Sequence, residues 1–270
     1  MPASPKRASE FLDYFAAAAR RTLGGPDADQ VHILRVASRK FTQALTVLDA
    51  ESEDVEKIRR RLKRIMRFAG QVRDYDITIK LAGRVEGSKT FLARLHRRRA
   101  AAERVLLAEL QLWLDANTPR RWRERLAEAA PGTTASKVLS SAVKRLFKRG
   151  AAAEDSDKKL HPLRIAAKKL RYTLDLLDHS DPARVEQVKE LQRRLGDIND
   201  YETARRIASA ESAGKRVDSR LREKHDKKVR AFRRFWESRF SGKKHKREWQ
   251  NVTLRVTLAR SRRRPRVGTT

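Results

Sequence analysis

Residues 31–49, VHILRVASRKFTQALTVLD, and residues 160–178, LHPLRIAAKKLRYTLDLLD, align without a gap at an offset of 160 − 31 = 129. His32, Leu34, Arg35, Ala37, Lys40, Leu45, Leu48 and Asp49 recur as His161, Leu163, Arg164, Ala166, Lys169, Leu174, Leu177 and Asp178. In the first copy Leu34, Ala37, Phe41, Leu45 and Leu48 fall in one stripe at about 100° per residue, the signature of an amphipathic helix. With His32 at zero on the wheel, Arg35 lies at about 300° and Arg39 at about 340°, while the apolar stripe centres at about 190°. One face is core and the opposite face is cationic. The second copy repeats the device, with His161, Arg164, Lys168 and Arg171 opposite Leu163, Leu170, Leu174 and Leu177.

Two further segments recur in the same order, as a duplication requires. RFAGQVRDYDITIKLA (67–82) matches RRLGDINDYETARRIA (193–208) at an offset of 193 − 67 = 126 through Arg67/Arg193, Gly70/Gly196, Asp74/Asp200 and Tyr75/Tyr201. LHRRRAAAERV (95–105) faces KHDKKVRAFRR (224–234), pairing His96 with His225 and Arg98-Arg99 with Lys227-Lys228. Gly24-Gly25-Pro26, Gly83 to Gly87, Pro119, Pro131-Gly132, Gly150, Pro182, Gly214 and Gly242 read as breakers between helical stretches. A weak period-2 run, VTLRVTL at 252–258, stands against many helical periods. The expectation is an all-α protein of about eight or nine helices, in two repeat-related four-helix bundles packed about a pseudo-twofold axis. The repeats span about 6–130 and 131–241 with the seam at Pro131-Gly132, and residues 242–270 form a flexible basic tail, with ten Lys/Arg against one acid from Lys243 onward.

The 270 residues carry 65 Lys plus Arg against 34 Asp plus Glu, a formal charge of +31 that calls for an acidic partner. Hydrophobic residues at 39% are enough for a core, so global disorder is not expected. No run of about 18 apolar residues occurs, and Glu10 and Asp13 interrupt what would be a signal-peptide core, so a cytoplasmic protein without a membrane span is expected. The lack of cysteine excludes disulfides, thiolate nucleophiles and Cys-ligated zinc. There is no Gly-rich phosphate loop, nucleophile elbow or His-Glu-x-x-His pair, and no catalytic, metal or cofactor site is assigned.

The row from His32 to Arg39 spans about 10 Å of helix, which suits a linear polyanion. The next helix offers Arg60, Lys63, Arg64 and Arg67 opposite Leu62, Ile65 and Ala69. Like charges at these spacings repel by a few tenths of a kcal/mol per pair unless an anion neutralises them. In the other half only Lys189 and Arg193 correspond, because Glu186 and Glu190 replace Arg60 and Arg64. A single Lys/Arg face is ordinarily solvated surface, and it is the repetition that points to binding. Around His225 the apolar Leu221, Val229, Phe232 and Trp236 lie on its own face, so a structural histidine and an anion contact both remain open. Asp74-Tyr75-Asp76 and Asp200-Tyr201-Glu202 read as helix caps or as partners of arginines in the neighbouring repeat, and the four tryptophans read as packing residues.

These segments resemble the CHAD family, the conserved histidine α-helical domain. VHILRVASRK and LHPLRIAAKKLRY look like its two His-x-x-Arg helices, and RDYD and NDYE after Gly70 and Gly196 look like its Gly…Arg-Asp-x-Asp and weaker second-half counterpart. With the His96 and His225 helices, the resemblance covers roughly residues 6–241. It implies two four-helix bundles with a basic groove that binds inorganic polyphosphate, sites where phosphate or sulfate ions could also sit, and association with polyphosphate granules. The implied ligands are His32, Arg35, Arg39 and Lys40, and in the second copy His161, Arg164, Lys168 and Lys169, with Arg67, Arg73 and Arg193 as softer transfers. Thr42 stands opposite Arg171 and Asn199 opposite Arg73, so those contacts belong to one half only. Many members carry a triphosphate-tunnel domain with an alternating Glu-x-Glu-x-Lys strand. That pattern is not found in these 270 residues, and the expectation is a binding or targeting protein rather than an enzyme. The alternatives are a nucleic-acid or general polyanion binder and a metal-dependent polyphosphate or phosphotransfer enzyme.

Overall fold

A computed structural model describes residues 5–46, 52–129, 135–176 and 181–261. Leu48, Asp49, Leu177, Asp178 and the Pro131-Gly132 seam lie outside the described residues. The chain runs α1 (Pro5–Gly24), α2 (Ala28–Leu45), α3 (Glu53–Ala82), α4 (Lys89–Asp115), α5 (Thr118–Glu128), α6 (Ala135–Glu154), α7 (Leu160–Leu176), α8 (Pro182–Ala210), α9 (Lys215–Arg239) and α10 (Gly242–Ser261). The fold is all-α, and among the described residues there is no strand.

Local signals account for the starts of the site-bearing helices. Asp27 caps α2 by accepting from the Asp29 and Gln30 amides. Ser52 caps α3 by accepting from the Val55 amide, and Glu53, Asp54 and Glu56 in the first turn complement the positive helix end. Along α3 the residues Val55, Ile58, Leu62, Ile65, Ala69 and Val72 are buried at three- and four-residue spacing, which turns one face to the core for about five turns. Burying each large aliphatic side chain stabilises by about 1.5–3 kcal/mol.

Contacts divide the chain into two compact units that do not follow the repeat boundary. One unit holds α1 to α5 with residues 196–230 of α8 and α9; the other holds α6, α7, residues 182–195 of α8, the end of α9 and α10. The reason is length: α8 and α9 have 29 and 25 residues, so each extends about 40 Å and takes part in two cores. At their far ends Ala204, Ile207, Ala208, Val217 and Leu221 pack with Ala82, Val85, Phe91 and Leu95 of α3, the α3–α4 turn and α4. Elsewhere in that unit Phe15, Phe41, Trp113 and Trp122 form an aromatic cluster with centroids 4.8–6.3 Å apart. In the other unit Trp236 stacks on Phe240 at 5.0 Å and Phe240 on Trp249 at 6.4 Å. The tryptophans are packing residues.

Several expectations are corrected. The tail does not begin at 242: α10 follows there, with Trp249 fully buried and Glu248 accepting from Arg184 at 3.0 Å. One anchoring aromatic leaves little periodicity to read in a basic stretch. Residues 262–270 lie outside the described residues. The VTLRVTL run is helical backbone. Gly150 does not break a helix but lies inside α6, where a Cβ would meet the Trp236 ring at 1.9 Å. Gly70 and Gly196 are likewise interior to α3 and α8, so Asp74 and Asp200 cap nothing. A helical glycine costs only about 1 kcal/mol, and the long apolar faces outweigh it.

Candidate anion-binding faces

Three contacts set α2 antiparallel to α3. Arg73 donates to the Ala28 carbonyl at 3.4 Å, Arg35 to the Met66 carbonyl at 3.4 Å, and Arg59 to the Leu45 carbonyl at 2.7 Å. This pairing brings Arg73 of one helix beside His32, Arg35 and Arg39 of the other. His32 keeps an exposed edge and Arg35, Arg39 and Arg73 are half-buried. Partial loss of water, then the charges of Arg73, Arg39 and Arg35, hold the His32 imidazole below its usual value of 6.5, with Asp29 opposing. Loss of water disfavours a charge of either sign, but the part of the shift that comes from the three arginines marks a local field that favours an anion.

Arg35 lies across the bare backbone at Gly70, where a Cβ would stand 2.9 Å from its Nη1. The glycine therefore seats the guanidinium; at the repeat-related Gly196 a Cβ would meet nothing within 4 Å, so the role belongs to the first copy. Lys40 is drawn instead over the Tyr14 ring, 5.5 Å from its centroid. Arg60, Lys63, Arg64 and Arg67 are exposed along α3, with Arg67 over Phe68 at 4.9 Å. Arg64 shares a partner that sequence reading missed: Glu109 of α4, 3% exposed, takes Arg61 and Arg64 at 3.0 Å each. Among the described residues Arg39, Arg60 and Lys63 make no ion pair. On α9 the cations are mixed: Arg216, Arg220, Arg222 and Arg233 pair with Glu86, Glu223, Asp218 and Asp157, whereas among the described residues Lys224, Lys227, Arg230 and Arg234 make no ion pair.

The face of the second copy lies in the other unit and differs in charge. His161 is exposed on α7 and Arg164, Lys168 and Lys169 are half-buried. Arg171 pairs with Asp175 at 3.8 Å and lies over Tyr172 at 4.7 Å. On α8 the cations are internally neutralised. Lys189 donates to Glu186 at 3.2 Å, and Glu190 accepts two bonds from Arg193 at 2.7 Å and one from Arg194 at 2.6 Å. The Arg193 hydrogen bonds first, then the charges of Arg193 and Arg194 against some desolvation, lower the Glu190 carboxyl to about 2. Lys189 and Arg193 thus stand on a face with its own counter-ions.

His96 is exposed on α4 and lines a shallow cleft of about 440 Å³ with Asp27, Asp76, Lys80 and Arg99. Arg99 fixes this corner by donating to Asp76 at 2.6 Å, to the Pro26 carbonyl at 2.8 Å and to Glu103. Of the two readings of His225, the structure favours the structural one: it is 9% exposed, with Nδ1 3.0 Å from Asp226. The apolar residues on its side of α9 draw it inward. Asp74 lies 3.5 Å from Arg206 of the other repeat, so one of these carboxylates does pair with a neighbouring arginine. Among the described residues no cluster of three or more His, Asp or Glu is placed to hold a metal, and no helix is long and apolar enough to cross a membrane.

The family model for the CHAD domain matches residues 6–209. Among solved structures, the crystal structure of the CHAD domain from the plant Ricinus communis aligns with a TM-score of 0.65 at 18% identity, covering 94% of this chain and 90% of that one. PptA from Streptomyces chartreusis aligns with a TM-score of 0.58 at 16% identity, covering 88% of this chain and 99% of that one. Identities this low speak to the fold alone. No curated protein matches the chain.

Proposed function

The chain belongs to the CHAD-domain family, and from that premise we propose that it binds inorganic polyphosphate and acts as a binding or targeting protein rather than an enzyme. The observation that carries this reading is the α2/α3 face. His32, Arg35, Arg39 and Arg73 gather there, with Lys63 and Arg60 farther along α3, and among the described residues Arg39, Arg60 and Lys63 make no ion pair. Such crowding is unfavourable in the empty protein and is relieved by a polyanion. Guanidinium forks donate paired bonds to phosphoryl oxygens and lysines act as point charges. The antiparallel helices present these donors as two adjacent rows, so a flexible chain of phosphates can engage several at once. The α7 face, with His161, Arg164, Lys168 and Lys169, is a second and weaker contact area, because the part of α8 in the same unit carries Glu186 and Glu190. A protein of this kind is retained on polyphosphate granules.

The net charge of +31 favours a second reading, in which any polyanion, nucleic acid included, is held by bulk electrostatics. Calorimetric titration of long-chain polyphosphate and duplex DNA at about 150 mM salt separates the two. The comparison protein is the His32→Ala/Arg35→Ala/His161→Ala/Arg164→Ala variant. The proposal expects the native chain to prefer polyphosphate and the variant to lose that preference with its helical circular dichroism intact. Equal binding of DNA, or unchanged binding by the variant, overturns it in favour of the bulk charge.

A further inference from the structure

Among the described residues the exposed large apolar side chains are Tyr14, Val105, Leu112 and Ile165. Two of them, Val105 at 48% and Leu112 at 60% exposure, lie on α4 two turns apart. Between and before them stand Ala108 and Ala101, both exposed. The 101-105-108-112 spacing is four, three, four. At about 100° per residue these four side chains fall within a stripe about 60° wide, opposite the buried Leu106, Leu110 and Trp113. That is the geometry of a coiled-coil seam, in which a knob of one helix enters a hole of another, and among the described residues no helix fills it.

We propose that α4 pairs antiparallel with α4 of a second copy of this chain through the seam of Ala101, Val105, Ala108 and Leu112. Charge chooses both the occupant and the direction. Arg97 and Asp115 are exposed at the two ends of the seam, at the same angular position on its flank. An antiparallel register that sets Leu112 against the partner's Ala101 and Val105 against the partner's Ala108 brings Arg97 opposite the partner's Asp115 at each end. Large side chains then meet small ones, which lets the helices approach closely. A parallel pair in register would set large side chains against large and small against small, and would leave Arg97 and the partner's Asp115 at opposite ends of the seam, about 27 Å apart. The seam covers only about 17 Å of helix, so the interface is small and its association weak, in the class of transient contacts. The repulsion of two strongly basic chains weakens it further at low salt and is screened over about 8 Å at 150 mM.

Sedimentation velocity on the full chain, over a concentration series at about 150 mM salt and without any polyanion, tests the proposal. A concentration-dependent dimer is expected for the native chain, at least tenfold weaker for Leu112→Glu with helical circular dichroism unchanged. Arg97→Asp and Asp115→Arg should each weaken it, and the two together should restore it. Because the chain has no cysteine, engineered ones report direction without background. Under oxidation a mixture of Ala101→Cys and Leu112→Cys chains should cross-link to each other more than to themselves. A native chain that stays monomeric at the highest concentration, a dimer indifferent to Leu112→Glu, or self-cross-linking that dominates the mixture overturns the proposal.

Discussion

Gly70→Ala separates stability from binding at a single position. Gly70 lies inside α3, so alanine gains helix propensity of about 0.8–1 kcal/mol. For a chain of this size that corresponds to a rise in Tm of about 2–4 °C. The added Cβ meets one atom, Nη1 of Arg35 at 2.9 Å, which is the far end of a flexible side chain rather than backbone. The guanidinium shifts by a few tenths of an ångström, and the bond it gives up to the Met66 carbonyl is already long at 3.4 Å, so the cost to folding is small. The cost to ligand is larger, because a fork aimed at phosphoryl oxygens loses its alignment. About 1 kcal/mol, or about fivefold in polyphosphate affinity, is expected. Calorimetry and thermal melts on Gly70→Ala, Arg35→Ala and the double variant measure both sides. The double variant should bind no worse than Arg35→Ala alone. A more stable Gly70→Ala protein with native affinity, or a further loss in the Arg35→Ala background, refutes the idea that the glycine acts by seating Arg35.

Gly150→Ala should do the opposite to stability, because its Cβ would enter the Trp236 ring at 1.9 Å; a loss of about 1–3 kcal/mol is expected in a denaturant melt. His32, held below 6.5 in the folded chain, binds fewer protons folded than unfolded, so its contribution to stability declines as pH falls below about 6.5. Bound phosphate reverses the local field and raises the imidazole, so polyphosphate binding should take up a proton and tighten as pH falls from 8 to 5. Proton-linked calorimetry on the native chain and His32→Gln checks both signs, and the variant should lose the linkage. Glu190→Gln removes the shared acceptor of Arg193 and Arg194 and should raise polyphosphate affinity through the second unit, with a steeper salt dependence of binding as the readout. Since the Glu190 carboxyl is lowered from 4.5 to about 2, its stabilising contribution is present above about pH 4.5 and lost as pH falls toward 2, so Glu190→Gln should be less stable than the native chain above about pH 4.5 and the two stabilities should converge toward pH 2 in acid denaturation.

Helix content and the cationic faces were written in the chain itself, because a 3.6-residue period sorts His32, Arg35 and Arg39 away from Leu34, Phe41 and Leu45 whatever packs against them. The repeat was legible for the same reason, as two copies of one local pattern. The closing of the α8 face was also readable, since Glu190 stands three and four residues before Arg193 and Arg194, within reach on any helix. Other features depend on which helices meet and in what register, and no local spacing contains that. Glu109 takes Arg61 and Arg64 across some 45 residues, Arg73 meets His32 only through the antiparallel pairing of α2 and α3, and the far halves of α8 and α9 join the core of the first repeat. The glycines make the point most plainly. In sequence Gly150 reads as a breaker and Gly70 only as a repeated position, whereas both lie inside helices and admit a side chain from elsewhere: Arg35 at Gly70, Trp236 at Gly150. A missing Cβ has no meaning until its neighbour is in place.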